Sequence, residues 1–104
     1  EMYLENKKPY LNPEFKITDM AKDLFSNRTY ISAFINREYG MNFNRFINSY
    51  RLKEVERLHA DAVQRKQKTP VLEIVLHAGF SNYRSYFRAK NMVKNEAVAI
   101  NQKM

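Results

Sequence analysis

Residues 79–87 read GFSNYRSYF, and residues 24–32 read LFSNRTYIS. Both carry Phe-Ser-Asn followed closely by an arginine, and the triplets begin at Phe25 and Phe80, 55 positions apart in a chain of 104 residues. The residues around each copy are alike in pattern. Ahead of the first lies ITDMAKDLF, with Thr18 as the expected N-cap and Met20, Ala21 and Leu24 on one helical face. Ahead of the second, Thr69-Pro70 starts a helix carried by Val71, Leu72, Val75 and Leu76 as far as Gly79. After the first, Asn27 caps a helix to about Tyr39 with Ile31, Phe34 and Ile35 inward, and Gly40 closes it. After the second, Asn82 or Ser81 caps a helix to about Asn91 with Tyr86, Ala89 and Val93 inward. Short helix, tight turn, capped helix, written twice, is the grammar of a helix-turn-helix pair.

Between the copies runs the longest periodic segment, from Asn42 or Phe43 to Ala62. Phe43, Phe46, Ile47, Tyr50, Val55, Leu58 and Ala62 recur at helical spacing, with Arg45, Arg51, Lys53, Glu54, Glu56 and Arg57 between them. About 20 residues at 1.5 Å each make a rod of roughly 30 Å. Residues Met2–Lys8 read as a further helix, ended by Pro9 and Pro13 in KPYLNP. QRKQKT is a polar link, and a weaker pattern of Val93, Ala97 and Ile100 closes the chain. The expected fold is all-α, with about seven helices: a first lobe over 1–42, a connecting helix over 43–62 and a second lobe over 69–104. With only two glycines and three prolines there is little material for hairpins.

Composition narrows the chemistry. The absence of cysteine removes disulfides, thiolate nucleophiles and cysteine-based zinc sites, and fits a cytoplasmic protein. No window approaches a membrane span, and EMYLENKKPY is too charged for a signal peptide. With no initiating Met and an abrupt start within a helical pattern, the chain reads as an excised fragment. A net charge of +7 points to a polyanionic partner, although solvated lysines alone also produce such a balance. Catalysis has no support: His59 and His77 lack evident triad partners, Glu54 and Glu56 diverge around a solvated helix face, and no glycine-rich phosphate loop exists. No catalytic residue, metal ligand or cofactor is expected.

The outward faces of the two capped helices match what DNA presents. Arg28, Thr29, Ser32, Asn36 and Arg37 point outward from the first, and Tyr83, Arg84, Phe87, Arg88 and Asn91 from the second. Arginine offers paired donors to guanine, asparagine donates to and accepts from adenine, and hydroxyls suit base or backbone. From Asn27 to Lys53 the cations Arg28, Arg37, Arg45, Arg51 and Lys53 face one acid, Glu38, and from Phe80 to Asn95 four cations face none. A rod of roughly 30 Å suits two reading helices held about 34 Å apart in successive major grooves. The competing reading is a basic helical interaction module that binds RNA or a protein. In it Tyr83, Tyr86 and Phe87 stack on unpaired bases, with Tyr86 better read as core.

The chain also resembles, over nearly its whole length, the C-terminal DNA-binding domain of AraC/XylS-type transcription regulators. The likeness is carried by PYLNPEFKITDMAKDLFSNRTYISAFINREYGMNFNRFINSYRLKEVERL and LEIVLHAGFSNYRSYFR. Within these, its most specific parts are Gly40 with MNFNRFINSYR, Val55 and Leu58, then Glu73-Ile74 and Gly79-Phe80. The resemblance implies a seven-helix bacterial domain that binds promoter DNA sequence-specifically. It implies RNA polymerase as a partner of the full-length regulator, no membrane association, and a monomeric isolated domain, in the style of an output module of a response regulator or hybrid sensor. Carried across by position, Asn27, Arg28, Thr29, Ser32, Ala33, Asn36 and Arg37 belong to the first reading helix. Asn82, Tyr83, Arg84, Ser85, Arg88 and Asn91 belong to the second. Four departures stand out. Phe25 replaces a usual turn glycine, so that turn must avoid a left-handed backbone or carry strain. The link between Leu58 and Thr69, extended by QRKQK, is a few residues longer than is common in the family. Lys90 occupies the place of a buried Phe, so its stem is expected to lie along the surface. NEAV at 95–98 replaces a closing Gly-x-Thr-Pro pattern.

Overall fold

Asparagine starts each of the three long helices. In the computed structural model, which describes the backbone of residues 2–103 and side chains as far as residue 94, the Asn27, Asn42 and Asn82 Oδ1 atoms accept from the backbone N–H of Tyr30, Arg45 and Ser85 at 2.8, 2.9 and 2.8 Å. The helices are α1 (Met2–Lys7), α2 (Ile17–Asp23), α3 (Arg28–Tyr39), α4 (Phe43–Gln64), α5 (Val71–His77) and α6 (Tyr83–Lys103), with a 3-10 turn at Pro9–Leu11. No strand occurs among the described residues. Of the about seven helices expected, six α-helices form. The reading helix expected to stop near Asn91 runs on through residue 103 because no glycine or proline interrupts that stretch. The side chains of Ala97, Ile100 and NEAV lie outside the described residues.

Two expected caps are displaced. α2 begins at Ile17, so Thr18 is inside it, and the Asp19 carboxylate accepts from the Lys16 N–H at 2.9 Å in the manner of a capping box. Pro70 is the cap of α5 rather than its first residue, with its carbonyl accepting from Ile74 N–H at 3.3 Å.

The turns after α2 and α5 are built alike. After α2 the Ser26 N–H donates to Ala21 O (2.8 Å) and Phe25 N–H to Lys22 O (3.2 Å). After α5, Phe80 N–H donates to Val75 O (3.3 Å) and Gly79 N–H to Leu76 O (3.1 Å). These are paired Schellman bonds, which require a left-handed residue just beyond the helix. Gly79 takes that conformation at φ 105°, and in the first turn Phe25 takes it at φ 54° with its side chain 99% exposed. The strained alternative is therefore the one adopted. Phe25→Gly loses no packing and relieves a left-handed β-carbon, so it is expected to stabilise the fold by about 0.5–1 kcal/mol after the added chain entropy of glycine. Thermal unfolding checks this, and a lowered midpoint would show that Phe25 packs somewhere.

The buried side chains form two clusters along α4. Leu4, Tyr10, Met20, Ile31, Ile35, Phe46 and Ile47 fill one, with Tyr39 and Phe46 rings 4.6 Å apart. Val55, Ile74, Val75, Ala78, Phe80, Tyr86 and Ala89 fill the other. A radius of gyration of 15.1 Å exceeds the about 13 Å of a rounder 100-residue domain, as expected for two cores on one rod. Two inward assignments change: Phe34 is partly exposed and Val93 about half exposed. Val71, Leu72 and Leu76, read as carrying α5, also stand about half exposed. α5 instead turns Ile74, Val75 and Ala78 to the core, against Leu52, Val55 and Leu58 of α4. Lys90 is exposed, with its Nζ 5.8 Å from the Tyr86 ring centroid.

Two charged residues of α4 turn inward, one of them, Glu54, expected on a solvated face. Arg51 is half-buried and donates from Nε to Tyr10 O (2.8 Å) and from Nη2 to Asn12 O (3.1 Å). Glu54 is 6% exposed and accepts from Arg57 Nε and Nη2 at 2.8 and 2.9 Å. These bonds hold its carboxyl below the usual carboxylate range despite its burial. Because the folded value is depressed, the stabilisation is complete above the unfolded carboxylate range near 4.3 and disappears as pH falls through the lower folded value. Glu54→Gln should lose about 1 kcal/mol at neutral pH, a modest figure because Arg57 is solvent-screened, and the difference should close on acidification below about pH 4. Urea unfolding across pH measures it, and a constant difference down to pH 2.5 would contradict the pair.

Candidate nucleic-acid interface

α3 buries Ile31 and Ile35 and turns Asn27, Arg28, Thr29, Ser32, Ala33, Asn36 and Arg37 to solvent. Asn27 uses its Oδ1 as a cap, leaving the amide nitrogen free to donate outward. Arg37 is engaged locally: its Nε lies 3.3 Å from Glu38 Oε1, and its guanidinium carbon lies 5.7 Å from the Phe34 ring centroid. Arg28 pairs with no carboxylate among the described residues.

α6 buries Tyr86 and Ala89 and exposes Asn82, Tyr83, Arg84 and Arg88, with Ser85 and Asn91 half-buried on its flanks. Tyr86 is core, as the stricter reading of it held. Arg84 and Arg88 also lack a carboxylate partner among the described residues. The Tyr83 and Phe87 rings lie 6.3 Å apart and 27° from parallel on the outer face.

The two helices are linked by residues that the repeat did not draw attention to. One groove of about 460 Å³ is bordered by Arg28 and Ser32 of α3, Lys16 and Thr18 at the start of α2, and Asn42 and Asn44 at the start of α4. A second, of about 330 Å³, is bordered by Asn42, Asn44, Arg45 and Asn48 of α4 and by Ser85 and Arg88 of α6. Asn42 and Asn44 border both, so the head of α4 joins the two grooves, whose walls also carry apolar residues, among them Ile17 and Phe43 in the first and Leu52, Met92 and Val93 in the second. Arg28, Ser32, Ser85 and Arg88 are thereby brought to one band. Asn36, Arg37, Tyr83 and Arg84 lie outside both grooves. The polar run Asn42, Asn44, Arg45 and Asn48 was the available signal, hidden among residues spaced for a core-facing helix.

Neither histidine joins this surface. Both are exposed, and His77 Nε2 lies 3.9 Å from Glu73 Oε1. Among the described residues no group of three or more His, Cys, Asp or Glu is placed to hold a metal ion, and no helix is long and apolar enough to cross a membrane.

No family model matches the chain, and no characterised protein sequence matches it. Its fold is similar to the solved structure of a protein of unknown function from Listeria innocua, with a TM-score of 0.61 and 18% identity over 77% of this chain and 70% of that one. At that identity the likeness concerns the fold alone.

Proposed function

We propose that the chain is a sequence-specific double-stranded DNA-binding domain of a transcription regulator, of the AraC/XylS type that its motifs resemble. The start of α6 and all of α3 are the two reading helices. The observation that carries this reading is the repeated unit itself: two Asn-capped helices, each delivered by a Schellman turn, each with an exposed face bearing unpaired arginine. The border at Asn42 and Asn44 that the two grooves share supports engagement of both helices by one ligand. On this reading the isolated domain acts as a monomer, because one chain supplies both helices. Promoter DNA, and through the full-length regulator RNA polymerase, are its partners.

The test is selection of bound sequences from a random duplex pool, followed by titration against salt. Enrichment of a two-part site is expected, with affinity falling steeply as salt rises and the duplex preferred over its separated strands. An arginine at a base edge contributes roughly 1–3 kcal/mol of discrimination. Arg28→Ala should therefore blur base preference in one half of the site and Arg84→Ala in the other. If both blurred the same base pairs, the two-groove arrangement would be wrong. Preference for single-stranded RNA would favour the interaction-module reading instead.

A further inference from the structure

Aligned on their caps, the two reading helices differ most at the middle of their outer faces. Counting from Asn27 and Asn82, the position that is Ser32 in α3 is Phe87 in α6, and Arg28 corresponds to Tyr83. Phe87 is 50% exposed and Tyr83 47% exposed, one helical turn apart, with nearly parallel rings. Arg84 and Arg88, each next in sequence to one ring, are exposed beside them. The result is an apolar strip running alongside a cationic one. A solvated helix face gains nothing from such a strip, since each half-exposed ring keeps apolar surface in water.

The cations specify a polyanion. The strip specifies an apolar group recessed within that polyanion's surface, and the thymine C5-methyl fills this role in the major groove. We infer that Phe87, with Tyr83, reads thymine methyl groups in the half of the site occupied by α6, while Arg84 and Arg88 hold the flanking phosphates or a neighbouring guanine. This rests on the duplex-binding reading above and adds the base class recognised in one half. α3 has a stacked, exposed pair of its own, Tyr30 and Phe34 (centroids 6.4 Å apart, 25° from parallel), but sets it two positions further from the cap than Tyr83 and Phe87, on a different side of the helix from Arg28 and Ser32, so the two half-sites differ in kind: an A·T pair is required under α6.

Deoxyuridine keeps thymine's base pairing and removes only its methyl, which makes it the probe. Duplexes selected from a random pool by the wild-type chain are remade with deoxyuridine for thymine, one half-site at a time; the half read by α6 is the one blurred by Arg84→Ala. Loss of one buried methyl corresponds to about a fourfold weakening. Wild-type protein should lose about fourfold per contacted methyl in the α6 half. Phe87→Ser, which installs the residue of the first copy, should bind the thymine and uracil duplexes equally. Tyr83→Ala is the second variant, expected to reduce the uracil effect in part, and thermal melting verifies that both variants fold. Equal sensitivity to uracil in wild type and Phe87→Ser would overturn the inference while leaving duplex recognition standing. Failure to enrich any duplex would instead overturn the underlying reading. Tighter binding to separated strands, lost on removal of either ring, would show base stacking in place of methyl contact.

Discussion

Replacing Gly79 by alanine is expected to unfold the second helix-turn-helix unit or come close to doing so. A β-carbon there would lie 2.1 Å from Tyr10 O, with Arg51 Nε and Leu11 Cα each at 3.0 Å, on a backbone at φ +105°. Two of these three neighbours are backbone atoms, so no side-chain rotation relieves the clash. Left-handed strain and overpacking of this kind each cost about 1–3 kcal/mol, so a total near 4 kcal/mol is expected. In a chain of this size that is a fall of about 15–30 °C in the unfolding midpoint. Gly40→Ala is the internal control. Gly40 is also left-handed at φ +65°, yet nothing lies within 4 Å of the β-carbon it would gain. Its replacement should cost only about 1–2 kcal/mol. Equal losses for the two variants would mean that Gly79 does not approach the first lobe.

Arg51→Met is expected to come next in size. Its guanidinium supplies donors to two backbone carbonyls, Tyr10 O and Asn12 O, and also to Asn48 Oδ1 at 3.2 Å. Burial lowers the pKa of this group, because its charged form has been taken out of water. Methionine matches the stem but leaves both carbonyls facing a gap beside Gly79, and a loss of about 3 kcal/mol is expected from hydrogen bonds to a charged donor. Arg51→Lys should recover less than half of it, since one ammonium cannot match the two-carbonyl fork. Chemical denaturation of both variants measures this, and a loss under 1 kcal/mol for the methionine variant would remove Arg51 as a structural tie. Gly79 and Arg51 meet the same carbonyl, so their double variant should lose clearly less than the sum of the two. The tie joins the 3-10 turn at Pro9–Leu11 to the turn that precedes α6.

The repeated Phe-Ser-Asn phrase made much of this legible. Asn27 and Asn82 are caps, Gly40 and Gly79 are left-handed closers, and the outward positions of α3 are exposed as the helical period requires. Local rules suffice there, because a cap and its turn are made by residues within four or five positions of each other. They misled where a helix has more apolar residues than its core can take. Val71, Leu72 and Leu76 fit the period as well as Ile74 does, and the position of α4 alone selects Ile74, Val75 and Ala78.

By itself, then, the sequence determined an all-helical chain with two capped units, their outward faces and their excess of positive charge, since each follows from spacing and residue type along one segment. Tertiary structure alone decided the rest. It withdrew Arg51 and Glu54 from solvent, ran α6 past its expected end, and set Asn42 and Asn44 on the border of grooves against both α3 and α6. The physical reason is distance along the chain. Arg51 meets Tyr10 across 41 positions, and no periodicity within a helix encodes a partner that far away.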